Sequence, residues 1–152
     1  GASIRFYDTL PAPNVAHVKA ARGSAAPHAW STWGEVLAPR ADAATTTLAT
    51  YTDQYYAGGI AAITRPLGRG SVTYIGVDSD TGSLEAQLVR EVYARAKVAT
   101  ENLPEGFLVD WRDGLWIATN QTDKAQPAPI PAGAELLLGT REVPIAGVTA
   151  WK

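Results

Sequence analysis

Apolar and polar positions alternate in short runs along most of the chain, and one segment alone keeps a helical period. From Ser83 to Lys97, Leu84, Leu88 and Val92 recur every four residues, with Val89, Tyr93 and Ala96 widening the stripe. Ser83 suits the N-cap, Glu85 falls in the first turn, and Arg95 and Lys97 fall in the last, which matches the helix dipole. This spacing predicts one amphipathic helix over about 83–97, docked on a sheet.

Strand-like runs precede it. Ile4–Tyr7 and Asn14–Lys19 read as short strands separated by Pro11-Ala12-Pro13, and Gly23-Ser24-Ala25-Ala26-Pro27 reads as a loop. Trp30 to Leu37 reads as a helical turn, with Trp33 and Leu37 four apart and Pro39 ending it. Thr45–Tyr51 is rich in β-branched residues and predicts a strand. Ile60–Arg65 and Ser71–Val77 flank Pro66-Leu67-Gly68-Arg69-Gly70, predicting a hairpin with a five-residue loop. Both faces of its second strand carry apolar residues, so the sheet is expected to be covered on each side.

Beyond Asn102-Leu103-Pro104-Glu105-Gly106 the helical period stops, which marks a boundary between residues 1–101 and 103–152. Phe107–Trp111, Leu115–Asn120, Ala134–Leu138 and Gly147–Trp151 predict short strands. Asp113-Gly114 forms a tight turn, and Gln126–Pro131 is an edge or connection stiffened by three prolines. So small a strand meander is expected to pack on the preceding unit.

Composition narrows the function. The 152 residues carry 15 acidic and 13 basic side chains, a net charge of −2 without a basic stripe, so the sequence argues against nucleic-acid binding. No apolar run approaches the ~20 residues of a membrane span. Fourteen glycines and ten prolines fit a turn-rich, strand-rich chain. The lack of Cys removes thiolate nucleophiles and cysteine-ligated metals, and with His17 and His28 as the only histidines, no metal or cofactor is expected. The cellular compartment stays open. With no Met and a start at Gly1, the chain reads as a fragment.

Few residues invite chemistry. Asp78 and Asp80 lie between a strand and the helix, which supports a small hydrolase as a third reading, though acids there also simply favour a helix N-terminus. Asp110 and Asp113 bracket a turn. His17 and His28 lack a nucleophile on a G-x-S-x-G elbow, and Gly58-Gly59 and Gly68-Arg69-Gly70 lack the placement of a phosphate loop. Exposed planar aromatics bind sugars, so Trp30, Trp33, Tyr55 and Tyr56 form a candidate carbohydrate platform, set against ordinary core or interface packing. Trp111 and Trp116 cannot be assigned to one surface from spacing alone.

The run from Tyr51-Thr52-Asp53-Gln54-Tyr55-Tyr56-Ala57-Gly58 through Ala61-Ala62-Ile63-Thr64-Arg65 to Leu67-Gly68-Arg69-Gly70-Ser71-Val72-Thr73-Tyr74-Ile75-Gly76 resembles the late part of the trimerisation domain of bacterial β-galactosidases of glycoside hydrolase family 42. Residues 103–152 resemble the small antiparallel β domain that closes such enzymes. The resemblance covers about 47–152 and is thin before residue 47. It implies a parent whose catalytic glutamates sit on a (β/α)8 barrel, for which this chain has no room. It also implies that residues 1–101 derive from a glutamine-amidotransferase-like α/β domain without amidotransferase chemistry.

The expectation is therefore an α+β, strand-rich remnant, 1–101, followed by a small antiparallel β unit, 103–152. Its function is that of a non-catalytic assembly and support region, with no catalytic residue of its own. Tyr55, Tyr56, Arg65, Tyr74 and Trp111 are the expected packing and assembly residues. Its partners are the parent's own barrel and further copies of the chain, with galactosides reached through the parent. Apolar surface from Ile60, Ile63 and Val72 is expected to be exposed and to favour self-association. The alternative is a stand-alone carbohydrate-binding module using Trp30, Trp33, Tyr55 and Tyr56.

Overall fold

A computed structural model describes residues 1–23 and 26–152, so the loop expected across Ser24 and Ala25 lies outside the described residues. The chain divides into two compact units, Gly1–Ala99 and Thr100–Lys152. Among the described residues every strand pairing is antiparallel and the one helix is Ser83–Arg95.

The first unit is organised around one long strand. β1 (Ala2–Asp8) and β2 (Ala16–Ala20) lie end to end along β3 (His28–Pro39), from Ala2↔Pro39 to Asp8↔Gly34 and then from Ala16↔Trp30 to Val18↔His28. The Pro11-Ala12-Pro13 segment interrupts that path, with a cis bond at Pro13. β4 (Thr46–Tyr51) pairs with β2, β5 (Ile60–Leu67) pairs with β4, and β5 returns to β3 through Leu37↔Ile60. The sheet thus closes on itself. β6 (Gly70–Ile75) forms a hairpin with β5, and β7 (Val77–Ser79) continues along β3 into α1 (Ser83–Arg95).

Closure gives the unit one interior. Ala16, Val18, Trp30, Ala49, Tyr51, Ala61, Ala62 and Val77 fill it, and Leu84 and Leu88 of α1 join the same cluster. The small residues follow from geometry, since a tight barrel leaves room for large rings only opposite alanines and glycines. Burying Trp30 and Tyr51 removes on the order of 150–250 Å² of each from water and makes them the main apolar contributors.

Three local expectations need correction. Residues 30–37 form the middle of β3 rather than a helical turn, because pairing with β1, β2 and β7 outweighs a weak local i,i+4 preference. The β5–β6 loop is two residues, Gly68-Arg69, since Pro66 and Leu67 are still in register with Ser71 and Gly70. Gly68 takes a φ of 56°, a left-handed conformation that suits glycine at this turn. On α1, Gly82 replaces Ser83 at the N-cap, Lys97 lies beyond the helix end, and Val89 and Tyr93 face solvent instead of the core.

The second unit is a four-stranded sheet ordered β11-β13-β9-β8, with β8 (Phe107–Arg112), β9 (Leu115–Asn120), β11 (Leu136–Leu138) and β13 (Val148–Trp151). β10 (Gln126–Pro127) pairs separately with β12 (Glu142–Val143), a short ladder that alternation along the chain does not reveal. Asp113 and Gly114 both take positive φ, as a two-residue hairpin turn requires. Phe107, Ala118, Val143 and Trp151 form its core. The fully buried Asn120 ties three loop carbonyls together: its Nδ2 donates to Lys124, Val143 and Pro144, at 2.8, 2.9 and 3.1 Å.

Candidate functional site

Closure leaves the outer face of the first unit open. Directly paired residues share a face of a sheet, so Ile4 lies beside Leu37 and Tyr7 beside Glu35. Tyr7 also stacks on Trp33, with ring centroids 4.7 Å apart and planes 13° apart. On the adjoining hairpin, Ile63 pairs with Tyr74 and Arg65 with Val72. Ile4, Leu37, Ile63, Arg65, Val72 and Tyr74 line a shared groove of about 370 Å³. Ile4, Tyr7, Trp33, Val72 and Tyr74 remain between 40 and 63% exposed.

A carboxylate is embedded in this face. Glu35 is buried, and the Tyr74 hydroxyl donates to its Oε2 at 2.5 Å. That bond, with burial adding to it, holds the Tyr74 phenol above its ordinary range. On the inner side the Tyr51 hydroxyl donates to the Glu35 carbonyl at 3.0 Å. Residue 35 thereby links the outer face to the barrel interior. Arg65 is the charged side chain lining the groove.

The sequence-derived aromatic candidates are split between two environments. Trp30, Tyr51, Tyr56 and Tyr55 make consecutive edge-to-face contacts with centroids 4.8–5.6 Å apart, and Tyr55 also stacks on Phe6. Trp30 and Tyr56 are buried, so neither presents a ring face to a sugar. Tyr56 instead donates to Asp8 Oδ2 at 2.8 Å, and its phenol is raised by burial first and by that carboxylate second. Tyr55 is 84% exposed. Trp33 belongs to the opposite, outer face, because residues 30 and 33 of one strand point to opposite sides.

Arg65 and Tyr74 meet at the outer groove. Trp111 pairs with Trp116 across β8 and β9, and Trp116 stacks toward Trp151 at 6.4 Å, all in the second unit. Register decides this where spacing could not. Of the three residues expected to expose apolar surface, Val72 does so, Ile60 is half-buried and Ile63 is buried. Asp78 and Asp80 accept hydrogen bonds from Thr32 and Ser31 on β3 at 3.0 and 2.9 Å, which fixes both as partners of strand hydroxyls. His17 pairs through Nδ1 with Asp53 Oδ2 at 2.8 Å, and Asp53 Oδ1 takes the His17 backbone N–H. Among the described residues no cluster of three or more potential metal ligands occurs.

Ile4, Tyr7, Glu35 and Leu37 complete this face, and no local pattern in the sequence marks them as its parts. Ile4 and Tyr7 fell within an expected strand, but their partners were hidden by the helical reading of 30–37.

Comparison with known proteins agrees with this architecture. A family model described as the beta-galactosidase trimerisation domain matches residues 1–102. No curated protein matches the chain. Among solved structures, the β-galactosidase of the psychrophilic Marinomonas ef1 is similar at a TM-score of 0.74 and 23% identity, covering 99% of this chain and 20% of that one. The cold-adapted β-galactosidase of Rahnella sp. R3 gives 0.78 and 23%, covering 99% of this chain and 23% of its own. The β-galactosidase of the Antarctic haloarchaeon Halorubrum lacusprofundi gives 0.76 and 26%, covering 100% and 22%. The chain thus spans about a fifth of the length of these relatives. With the family model matching two thirds of its residues and its fold recurring in those enzymes, the chain belongs to the β-galactosidase trimerisation-domain family of glycoside hydrolase family 42.

Proposed function

We propose that this chain is the assembly and support region of a β-galactosidase-type glycoside hydrolase and carries no catalytic step itself. The family match over residues 1–102 carries the reading. It is supported by an open, aromatic sheet face and by Asp78 and Asp80 both being engaged by neighbouring hydroxyls. In the parent enzyme the catalytic carboxylates would sit on a separate barrel, and galactosides would meet that barrel. The same reading takes residues 1–101 as the late part of a glutamine-amidotransferase-like α/β domain and 103–152 as the family's closing β domain. Within it, Arg65 and Tyr74 serve assembly through the outer groove, while Tyr56 supports the fold from inside and Tyr55 and Trp111 offer further exposed contact.

Sedimentation velocity on the purified 152-residue chain, together with a chromogenic galactoside assay, tests the proposal. The expected result is concentration-dependent self-association and no turnover. A monomer at all concentrations overturns the assembly role. Turnover that Asp78→Asn abolishes overturns the non-catalytic one.

A further inference from the structure

We propose that the outer face built by Tyr7, Trp33, Ile4, Val72 and Tyr74 is the surface on which a second copy of this chain docks. The proposal rests on the assembly function above and specifies where that assembly happens.

Three observations converge on this face. The first is area: five half-exposed side chains, three of them aromatic, offer on the order of 500 Å² of surface on one sheet face, with Tyr7 stacked on Trp33 and with Ile4, Val72 and Tyr74 meeting at the groove. The second is composition. Interface centres are enriched in Tyr, Trp and Arg and depleted of Lys, Glu and Asp, and this face carries two Tyr, one Trp and Arg65. Its one acid, Glu35, is buried and capped by Tyr74, so a partner meets a phenol rather than a naked carboxylate. The third is preorganisation. Tyr7 and Trp33 are already stacked and Tyr74 is already held, so docking loses little side-chain freedom.

The partner is a copy of the chain because the matched family is one of trimerisation domains. A three-fold ring closes only through heterologous contacts, so this face meets a different surface of the next copy and need not be self-complementary. An area below the ~800 Å² per partner of a standard interface predicts that this contact alone is weak and concentration-dependent.

The test compares association constants by sedimentation equilibrium for the unaltered chain, Val72→Asp, Tyr7→Asp and a control, Val89→Asp, on the exposed side of α1. Far-ultraviolet circular dichroism verifies the fold of each. Both face variants are expected to weaken association at least about tenfold, a single hot-spot's worth, with the control unchanged. Because the chain has no Cys, Val72→Cys supplies a second readout that tolerates a folding defect in the charged variants. Its alkylation rate should fall as protein concentration rises, while that of Val89→Cys should not. Association that persists undiminished in the face variants, with Val72→Cys unprotected, overturns the proposal and assigns the face to another occupant, such as the remainder of a longer chain. Absence of association in the unaltered chain overturns the assembly function instead.

Discussion

The indole of Trp30 occupies the space that a side chain at Gly34 would need. A Cβ at position 34 would sit 2.8 Å from Trp30 Cη2, 2.9 Å from Cζ3 and 2.9 Å from the Tyr51 hydroxyl. Both residues lie on β3, both are buried, and Gly34 is where β1 ends its pairing and β7 begins its own. The largest ring of the core is thus accommodated by the smallest residue of the same strand.

Gly34→Ala should therefore destabilise the first unit by about 1–3 kcal/mol through overpacking, and Trp30→Ala by about 3–5 kcal/mol through the cavity left behind. Urea denaturation followed by fluorescence checks both. An unchanged midpoint for Gly34→Ala would show that the Trp30 ring can yield.

The start of α1 depends on a side chain that sequence reading assigned only to the dipole. Glu85 accepts the Ser79 backbone N–H at 2.8 Å and also the Ser79 hydroxyl, while Ser79 Oγ accepts the Leu84 N–H at 3.2 Å. Glu85→Ala removes two bonds from the β7–α1 junction and should cost about 1–2 kcal/mol. Hydrogen exchange should report earlier opening of the Leu84 amide, with the β8–β9 hairpin unaffected.

In the second unit Asn120 should be the residue least tolerant of change. Its Nδ2 serves three carbonyls, and its Oδ1 accepts from the Thr122 N–H and hydroxyl at 2.9 and 2.8 Å. Asn120→Asp turns the donor into a carboxylate facing those carbonyls, and the loss should be on the order of 2–4 kcal/mol. Thermal melts on the full chain check it. Retained stability would mean that the loop carbonyls find water instead.

The three tyrosines held above their ordinary range predict alkaline lability. Tyr51 is raised chiefly by burial, Tyr56 by burial and then by Asp8, and Tyr74 chiefly by its bond to Glu35. A raised folded-state value leaves stability intact below the unfolded phenol's ~10 and removes it as pH climbs above that, because the unfolded chain ionises first. Absorbance near 295 nm should show Tyr51, Tyr56 and Tyr74 ionising late and together with loss of ellipticity. Tyr56→Phe removes one of these late ionisations, and a titration in which all six phenols ionise before any loss of structure would refute the idea.

Much of the fold was legible locally. The helix, the β5–β6 hairpin, the Asp113-Gly114 turn and most strands of both units follow from periodicity, β-branched runs and turn residues, all of which act within a few positions. The order of motifs from Tyr51 to Gly76 was also enough to point to the family. At Trp30–Leu37 the i,i+4 pair Trp33 and Leu37 is outweighed by strand pairing, and the consecutive buried run Gly34-Glu35-Val36-Leu37, covered on both faces, shows no alternation that would reveal the strand. That strand is also the one on which the outer face depends.

The amino-acid sequence by itself determined which segments extend, where they turn, and which side chains are apolar enough to need cover, because those properties are set by neighbours along the chain. Tertiary structure decided which of those side chains receive cover. Closing the sheet through Leu37 and Ile60 puts Trp30 and Tyr56 inside while leaving Tyr7, Trp33 and Val72 on the surface. It also brings Tyr74 to Glu35 across 39 residues of chain. Pairing between distant strands is a property of the closed sheet, and no local window of sequence contains it.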